Sequence, residues 1–107
     1  MTTPDVINRY IAAAAARQLD EIAACFTENA TVLDEGKTYR GRAEIRTWRE
    51  ELVSKYVYTV KVLGSEPDGA EKYIVSTLVE GNFPGGRVEL KYRFALRGDE
   101  IQSLEIA

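Results

Sequence analysis

A change of hydrophobic period near residue 56 is the feature that most constrains the fold of this 107-residue chain. Before it, apolar residues recur every three or four positions, as on amphipathic helices. After it, apolar and polar residues alternate, most regularly over 88–97, as on strands with one buried face. Helices that precede a run of strands favour an α+β domain, with three N-terminal helices packed on a curved, mainly antiparallel sheet.

The first two helices are marked by their start signals. Pro4 and Asp5 suit the first turn of a helix, and the apolar stripe that follows continues to about residue 17. Asp20 is placed to cap a short second helix, whose inward side would include Phe26. Both helices are therefore expected to present an apolar face to the sheet.

The third helix follows Gly41 and carries its apolar residues on one side. Ile45, Trp48 and Leu52 fall at the spacings of a single helix face. The opposite face holds a charged cluster, which we interpret as a solvated surface: Arg42, Arg46, Arg49 and Glu50. A partner site for an acidic molecule on this cluster is the least favoured alternative.

Strands are predicted at 30–34, 38–40, 56–63, 73–80, 88–97 and 101–106. Gly98 and Asp99 fit a tight hairpin with glycine at the first central position. A twisted sheet of this length curls, and three helices cannot fill its whole concave face. The pattern therefore predicts a pocket between the sheet and the helices.

The composition excludes several classes of function. With 17 acidic and 14 basic residues, the net charge of −3 argues against non-specific binding to nucleic acid or to an anionic membrane. The sequence has no histidine and a single cysteine, Cys25, so a zinc site and a Cys–His or Ser–His pair lack their side chains. We expect no metal or organic cofactor. The lone cysteine and the absence of a signal-peptide pattern predict a cytoplasmic protein.

Asp34 raises the main functional question, because it continues a face that begins with apolar residues. In the segment ATVLDEG, Ala30, Val32 and Asp34 share one side of a strand. The carboxylate either lies in water at the strand end, where Lys37 could pair with it, or lines an apolar pocket as a proton acceptor. Without histidine, acid–base chemistry would rest on carboxylates, tyrosine or lysine.

The segment from Arg9 to Leu52, RYIAAAAARQLDEIAACFTENATVLDEGKTYRGRAEIRTWREEL, resembles the first half of the SnoaL-like group in the nuclear transport factor 2-like superfamily. The shared features are an inward aromatic on the first helix, an ATVxD strand and a GRxxI start of the third helix. The segment VEGNFPGGRVELKYRFALRGDEIQSLEI resembles the terminal hairpin of that group. The resemblance covers nearly the whole chain and implies one cone-shaped domain over residues 1–107.

Within that superfamily, the first half is similar to the ketosteroid isomerases, in which a tyrosine on the first helix faces an aspartate across an apolar pocket. The resemblance implies that Asp34 abstracts a proton next to a carbonyl and that Tyr10 donates a hydrogen bond to the developing enolate. Leu90 stands where those isomerases carry a second aspartate, which argues against steroid isomerisation. The residues alone also allow Tyr10 to be a core aromatic.

Seven apolar or aromatic residues are predicted to form the core and to line any cavity in it: Phe26, Val32, Trp48, Leu52, Leu90, Tyr92 and Leu104. Such a lining suits a small apolar ligand. In this fold group the outer face of the sheet often packs on a second copy, so we expect a homodimer. Two functions remain open: a proton-transfer enzyme of isomerase, cyclase or dehydratase type, or a non-catalytic ligand-binding or dimerisation module.

Overall fold

The computed structural model of the protein describes residues 3–107, so the first two residues of the predicted domain lie outside the described residues. The elements are α1 (Asp5–Ala16), α2 (Leu19–Ala24), β1 (Phe26–Asp34), β2 (Lys37–Arg40), α3 (Gly41–Lys55), β3 (Tyr58–Pro67), β4 (Lys72–Gly81), β5 (Arg87–Arg97) and β6 (Glu100–Ile106). Within residues 3–107, no helix is both long enough and apolar enough to cross a membrane.

The first helix follows its predicted apolar stripe. Val6, Ile7 and Tyr10 are buried, while the intervening polar residues face solvent. Arg17 ends the helix in a left-handed conformation with φ of 60°, and its N–H donates to the Ala14 carbonyl at 3.2 Å. The helix therefore buries one side against the sheet and stops within one residue of the predicted end.

The second helix is shorter than predicted, and the prediction that it includes Phe26 is wrong. It ends at Ala24, because the Cys25 carbonyl accepts a hydrogen bond from the Ile101 N–H at 2.8 Å. This bond draws the chain into a ladder with β6, and Phe26 becomes the first residue of β1, opposite Ile101. The start at Leu19 also precedes the expected cap at Asp20 by one residue.

The six strands form one sheet in the order β2-β1-β6-β5-β4-β3. Every neighbouring pair is antiparallel except β1 and β6, which run parallel. Arg97 pairs with Glu100, so the β5–β6 hairpin has a two-residue turn, and Gly98 takes the predicted first central position with φ of 61°. The β1–β6 pairing places Asp34 beside Ile106 at one edge of the ladder.

The helices lie on the sheet as one layer, which confirms the α+β class: three helices packed on a mixed, mostly antiparallel sheet. Helix α3 contacts β1 and β2, while α1 contacts β3 and β6. The largest fully buried side chains in this layer include Tyr10, Phe26, Trp48 and Phe94. Residues 61–67 of β3 are exposed, so the helical layer does not extend over the outer half of that strand.

Candidate active site

Asp34 is the last residue of β1, and its carboxylate faces the interior layer rather than bulk water. The face that begins with the fully buried Ala30 and Val32 continues to Asp34, which is half-buried. The Trp48 indole N–H donates to Asp34 Oδ2 at 3.0 Å. Helix α3 thus supplies a donor that fixes the orientation of the carboxylate at the end of the strand.

The environment of Asp34 shifts its acidity in the direction that suits a base. Burial raises the pKa of the Asp34 carboxyl above its ordinary value of 3.8, and the nearby Glu35 charge raises it further. The Trp48 hydrogen bond and the Arg49 charge oppose this shift by favouring the ionised form. Desolvation is the larger effect, so the carboxylate binds a proton more readily than an ordinary aspartate.

Asp34 lies on the wall of a pocket of about 150 Å³ at this end of the layer. A dry cavity of that order holds a molecule the size of benzene. The wall is formed by two carboxylates, four aromatic rings and five aliphatic side chains: Asp34, Glu35, Leu52, Tyr56, Tyr58, Val79, Phe83, Val88, Leu90, Tyr92 and Ile106. The pocket is therefore mainly apolar, with its polar groups concentrated near Asp34 and Tyr58.

The predicted ligand-binding residues divide between the pocket and the closed interior. Leu52, Leu90 and Tyr92 line the pocket. Trp48 is 2% exposed and reaches the site through its hydrogen bond to Asp34. The remaining three lie in the core and are not part of the pocket wall: Phe26, Val32 and Leu104.

Tyr10, the other predicted catalytic residue, lies in the core and not on the pocket wall. Its ring packs edge-on against Phe26 and Phe94, with centroids 5.7 and 5.9 Å apart. Its hydroxyl is buried and has no hydrogen-bond partner within residues 3–107. Burial raises the pKa of Tyr10 far above its usual range, and nearby Arg49 opposes this rise. The structure does not bring Tyr10 and Asp34 into a hydrogen bond, since the side-chain donor to Asp34 is Trp48.

A buried cation next to the pocket was not predicted from the sequence. Arg49 is 3% exposed, so its assignment to a solvated helix face is wrong. Its Nη2 donates to the Tyr58 hydroxyl oxygen, and its guanidinium carbon lies 5.2 Å from the Trp48 ring centroid. The signal was present in the spacing: Arg49 follows Ile45 by four residues and precedes Leu52 by three, which is an inward position.

The other two arginines of that cluster remain at the surface. Arg42 pairs with Glu100 at 2.9 Å, and Arg46 pairs with Asp20 at 3.0 Å and with Glu50 at 3.2 Å. The pairs with Glu100 and Asp20 connect α3 to β6 and α2, and the pair with Glu50 lies within α3. The structure therefore separates one buried arginine from two that face solvent.

Metal-ligating side chains are not grouped in the part of the chain that the structure describes: no cluster of three or more Cys, Asp or Glu residues occurs there. The Cys25 thiol is buried and donates to the Glu21 carbonyl at 3.4 Å. Burial raises the pKa of this thiol. The polar groups on the pocket wall are two carboxylates and three tyrosine hydroxyls, and the buried Arg49 lies behind Tyr58.

Three helices over a mixed, mostly antiparallel sheet give the chain the fold of a SnoaL-like domain. The sequence profile of the SnoaL-like domain matches residues 7–100, and the chain belongs to this family. The family predicted from the sequence is thereby confirmed. No curated protein matches the chain in sequence.

Solved structures of similar fold cover almost the whole chain. A proposed polyketide cyclase from Sinorhizobium meliloti is 33% identical, with a TM-score of 0.94 over 98% of this chain and 95% of its own. A protein of ketosteroid isomerase-like fold from Catenulispora acidiphila, in complex with trimethylamine, is 20% identical, with a TM-score of 0.89 over 99% and 86%. The epoxide hydrolase/cyclase-like enzyme SalBIII of salinomycin pyran-ring formation is 22% identical, with a TM-score of 0.83 over 95% and 86%.

Proposed function

We propose that this SnoaL-like domain binds a small apolar carbonyl compound and catalyses a proton transfer, of isomerase, cyclase or dehydratase type, with Asp34 as general base. The observation that carries the proposal is a half-buried carboxylate on an apolar pocket wall, oriented by the Trp48 indole and with a pKa raised by burial. A base whose pKa is closer to the working pH is the more effective proton acceptor. The cyclase names of two structural relatives support this class of reaction.

The reaction follows from the proton that the Asp34 carboxylate can accept. The carboxylate takes a proton from the carbon next to the ligand carbonyl, and the electron pair of that C–H bond forms a carbon–carbon double bond. The carbonyl π electrons move onto oxygen, which becomes an enolate. Asp34, now protonated, returns the proton to another carbon in an isomerisation. In a cyclisation the enolate carbon attacks a second carbonyl, and the alkoxide that forms takes the proton from Asp34.

The other predicted site residues take supporting roles in this proposal. Tyr10 is the donor that the family resemblance implies, and this role stays a prediction, because its buried hydroxyl is not on the pocket wall. Leu52, Leu90 and Tyr92 would contact the ligand from the pocket wall. The core residues behind them would fix the shape of the predicted cone: Phe26, Val32, Trp48 and Leu104.

Hydrogen–deuterium exchange tests the proposal without requiring the natural substrate. The protein is incubated in D₂O with a panel of small enolisable ketones, and NMR follows the loss of the α-proton signal. We expect the native protein to accelerate exchange and Asp34→Asn to reduce the acceleration about 100-fold or more. Glu28→Gln makes the same chemical change at an exposed position of β1 and should leave exchange unchanged.

The alternative function is a ligand-binding module without catalysis. It is favoured by the core position of Tyr10, because Asp34 then acts without that donor. Ligands that shift NMR signals of pocket residues but show no exchange, in the native protein as in Asp34→Asn, would establish the module and end the catalytic proposal.

The homodimer and the cytoplasmic location stay predictions. Exposed apolar side chains on the outer side of the sheet support an interface with a second copy: Leu33 on β1 and Leu63 on β3. Analytical ultracentrifugation over a range of concentrations measures the oligomeric state. We expect Leu63→Glu to shift the equilibrium towards the monomer, because it places a charge in the apolar contact.

A further inference from the structure

We propose that the Tyr58 hydroxyl, held by the buried Arg49, donates the hydrogen bond to the ligand's carbonyl oxygen as negative charge develops there. Tyr58 would then be a catalytic residue, and Arg49 a positioning residue that acts through it. The inference rests on the proposed function of Asp34. The ligand expected at this site has a reacting carbonyl next to a group that the pocket can enclose, such as one ring.

Arg49 is a buried cation without a direct ion pair in the described residues, and the Asp34 charge acts on it only at longer range. Its side chain is almost fully buried, and within residues 3–107 it forms no salt bridge with a carboxylate. Its Nε is buried without a hydrogen-bond partner. An arginine cannot escape burial by losing its proton, and a buried charge without a direct ion pair is unfavourable in general. Such a cation favours a site in which negative charge appears on a nearby group.

The hydrogen bond between Arg49 and Tyr58 has a defined direction. Arg49 Nη2 is the donor, so the Tyr58 oxygen is the acceptor. A tyrosine oxygen that accepts in this way keeps its own O–H hydrogen for another acceptor. Tyr58 lies on the pocket wall, and no side chain within residues 3–107 accepts from its hydroxyl. The pocket thus presents a free O–H donor backed by a cation.

Asp34 and Tyr58 reach one pocket from distant strands. Asp34 ends β1 and Tyr58 begins β3, which are separated in the sheet by β6, β5 and β4, yet both line the same pocket. The guanidinium of Arg49 lies over both the Trp48 and Tyr58 rings, 5.2 and 5.8 Å from their centroids. Arg49 therefore contacts Trp48, which donates to Asp34, and also contacts the Tyr58 hydroxyl. In this way it connects the proton acceptor, Asp34, with the hydrogen-bond donor, Tyr58.

Tyr10 and Tyr58 differ in their access to the pocket. Tyr10 has a free hydroxyl but is enclosed by Phe26 and Phe94 and is not on the pocket wall. Tyr58 has both access to the pocket and a cation behind it. A developing oxyanion is stabilised by donors that already point to its position, so Tyr58 is the better placed of the two tyrosines.

Binding of 4-nitrophenol to Asp34→Asn tests the inference independently of turnover. After proton abstraction Asp34 is neutral and the ligand carries the negative oxygen. The neutral amide of Asp34→Asn, together with a bound phenolate, reproduces that charge distribution. The ring suits a pocket of about 150 Å³, and the visible absorbance of nitrophenolate reports which form is bound. We expect the ionised form to be enriched on the protein relative to free solution at the same pH.

Substitutions in the Asp34→Asn background assign the donor. We expect Tyr58→Phe to weaken nitrophenolate binding about tenfold or more, because the charge-assisted hydrogen bond is lost. Tyr73→Phe, a partly buried tyrosine of β4 outside the pocket, should leave binding unchanged. Arg49→Met should lower the ionised fraction of bound nitrophenol, and Arg49→Lys should restore part of it. A purely structural Arg49 would not change this ionised fraction in folded protein.

Several results would overturn the inference. The first is a larger loss of nitrophenolate affinity in Tyr10→Phe than in Tyr58→Phe. The second is that the protein binds no nitrophenol, or binds its neutral form in preference to nitrophenolate. The third is that it binds the cation tetramethylammonium in preference to nitrophenolate. If Tyr58→Phe does not fold, Arg49→Met decides, because Arg49 acts through Tyr58: an unchanged ionised fraction would overturn the inference. The two proposals can fail separately. If Asp34→Asn binds nitrophenolate through Tyr58 but the native protein does not accelerate ketone exchange, Tyr58 is retained as the donor and Asp34 is rejected as the base.

Discussion

The interior of this domain has two regions of similar composition and different use. The closed core, formed by Tyr10, Phe26 and Phe94, packs its aromatic rings edge to face and leaves its one hydroxyl without a partner within residues 3–107. The pocket wall is also aromatic and aliphatic, yet it leaves about 150 Å³ open and carries Asp34 and Tyr58, which accept hydrogen bonds from Trp48 and Arg49. Apolar character therefore does not distinguish a core from a binding site. What distinguishes them is which polar groups the neighbouring elements orient.

The largest expected effect comes from a matched pair of truncations, one in each region. Phe94→Ala should cost about 3–5 kcal/mol of unfolding free energy, because Phe94 is 2% exposed and leaves a cavity that the sheet cannot close. Phe83→Ala should cost about 1 kcal/mol, because this half-buried ring already borders the open pocket. Urea unfolding of both variants measures the difference. Equal losses would show that the pocket end is packed as tightly as the closed core.

Trp48→Phe tests the boundary between the regions. It removes the indole N–H that binds Asp34 and part of a buried ring, so we expect a loss of about 2–3 kcal/mol. The pKa of Asp34 should rise further, because the Trp48 hydrogen bond favours the ionised carboxylate. NMR titration of the Asp34 side-chain carbon measures this shift. An unchanged titration midpoint would mean that the indole does not control the carboxylate.

Asp34→Asn should change how stability depends on pH. Since the folded-state pKa of Asp34 is raised, the folded chain keeps a proton over a pH range in which the unfolded chain has lost it. Ionisation of Asp34 therefore lowers the stability of the native protein as the pH rises from below 3.8 through the raised pKa. The amide oxygen of Asp34→Asn can still accept the Trp48 hydrogen bond, and the amide does not ionise, so no charge is buried when the pH rises.

The free energy of unfolding of Asp34→Asn should accordingly increase, relative to native protein, between about pH 3 and pH 7. Urea titrations at both pH values measure it, and Glu28→Gln provides the comparison at an exposed site of the same strand. A difference that decreases with pH would show that Asp34 is stabilised as a carboxylate, as in a surface ion pair, and would remove the argument for a tuned base.

The smallest effect is expected at the outer face of the same helix. Arg46→Ala removes two exposed ion pairs, with Asp20 and Glu50, and should cost less than about 1 kcal/mol. Thermal unfolding at low and high salt measures it, and the loss should diminish as salt screens the charges. A loss as large as that of Trp48→Phe would mean that the outer face of α3 stabilises the fold as strongly as its inner face.

Much of the fold could be predicted because its determinants are local. The apolar stripe of α1, the alternation over β5 and the glycine of the β5–β6 turn each set one element, and the structure contains all of them near the expected bounds. The error at Phe26 arose where a helix pattern met a strand pattern. A bond between Cys25 and Ile101, distant in sequence, decided that boundary.

The candidate site could be predicted only in part. Asp34 was identified from the alternation of its strand, and Leu52, Leu90 and Tyr92 were named as apolar lining and lie on the pocket wall. Arg49 was misplaced because a charged residue on an amphipathic helix is usually solvated, although its spacing was that of the inner face. Tyr58 lies at the start of β3, and the local sequence pattern does not distinguish it from the neighbouring aromatic residue, Tyr56.

The sequence by itself determined the order of three helices and six strands, the α+β class and the strand face that Asp34 shares with Ala30 and Val32, because residue spacing selects which side chains share a face. The tertiary structure alone decided that β6 inserts beside β1 in parallel, that Trp48 donates to Asp34 and that Arg49 is buried against Tyr58. The physical reason is that burial and hydrogen bonding depend on which distant elements meet. A local pattern states which side chains face inward, but not which of them become neighbours.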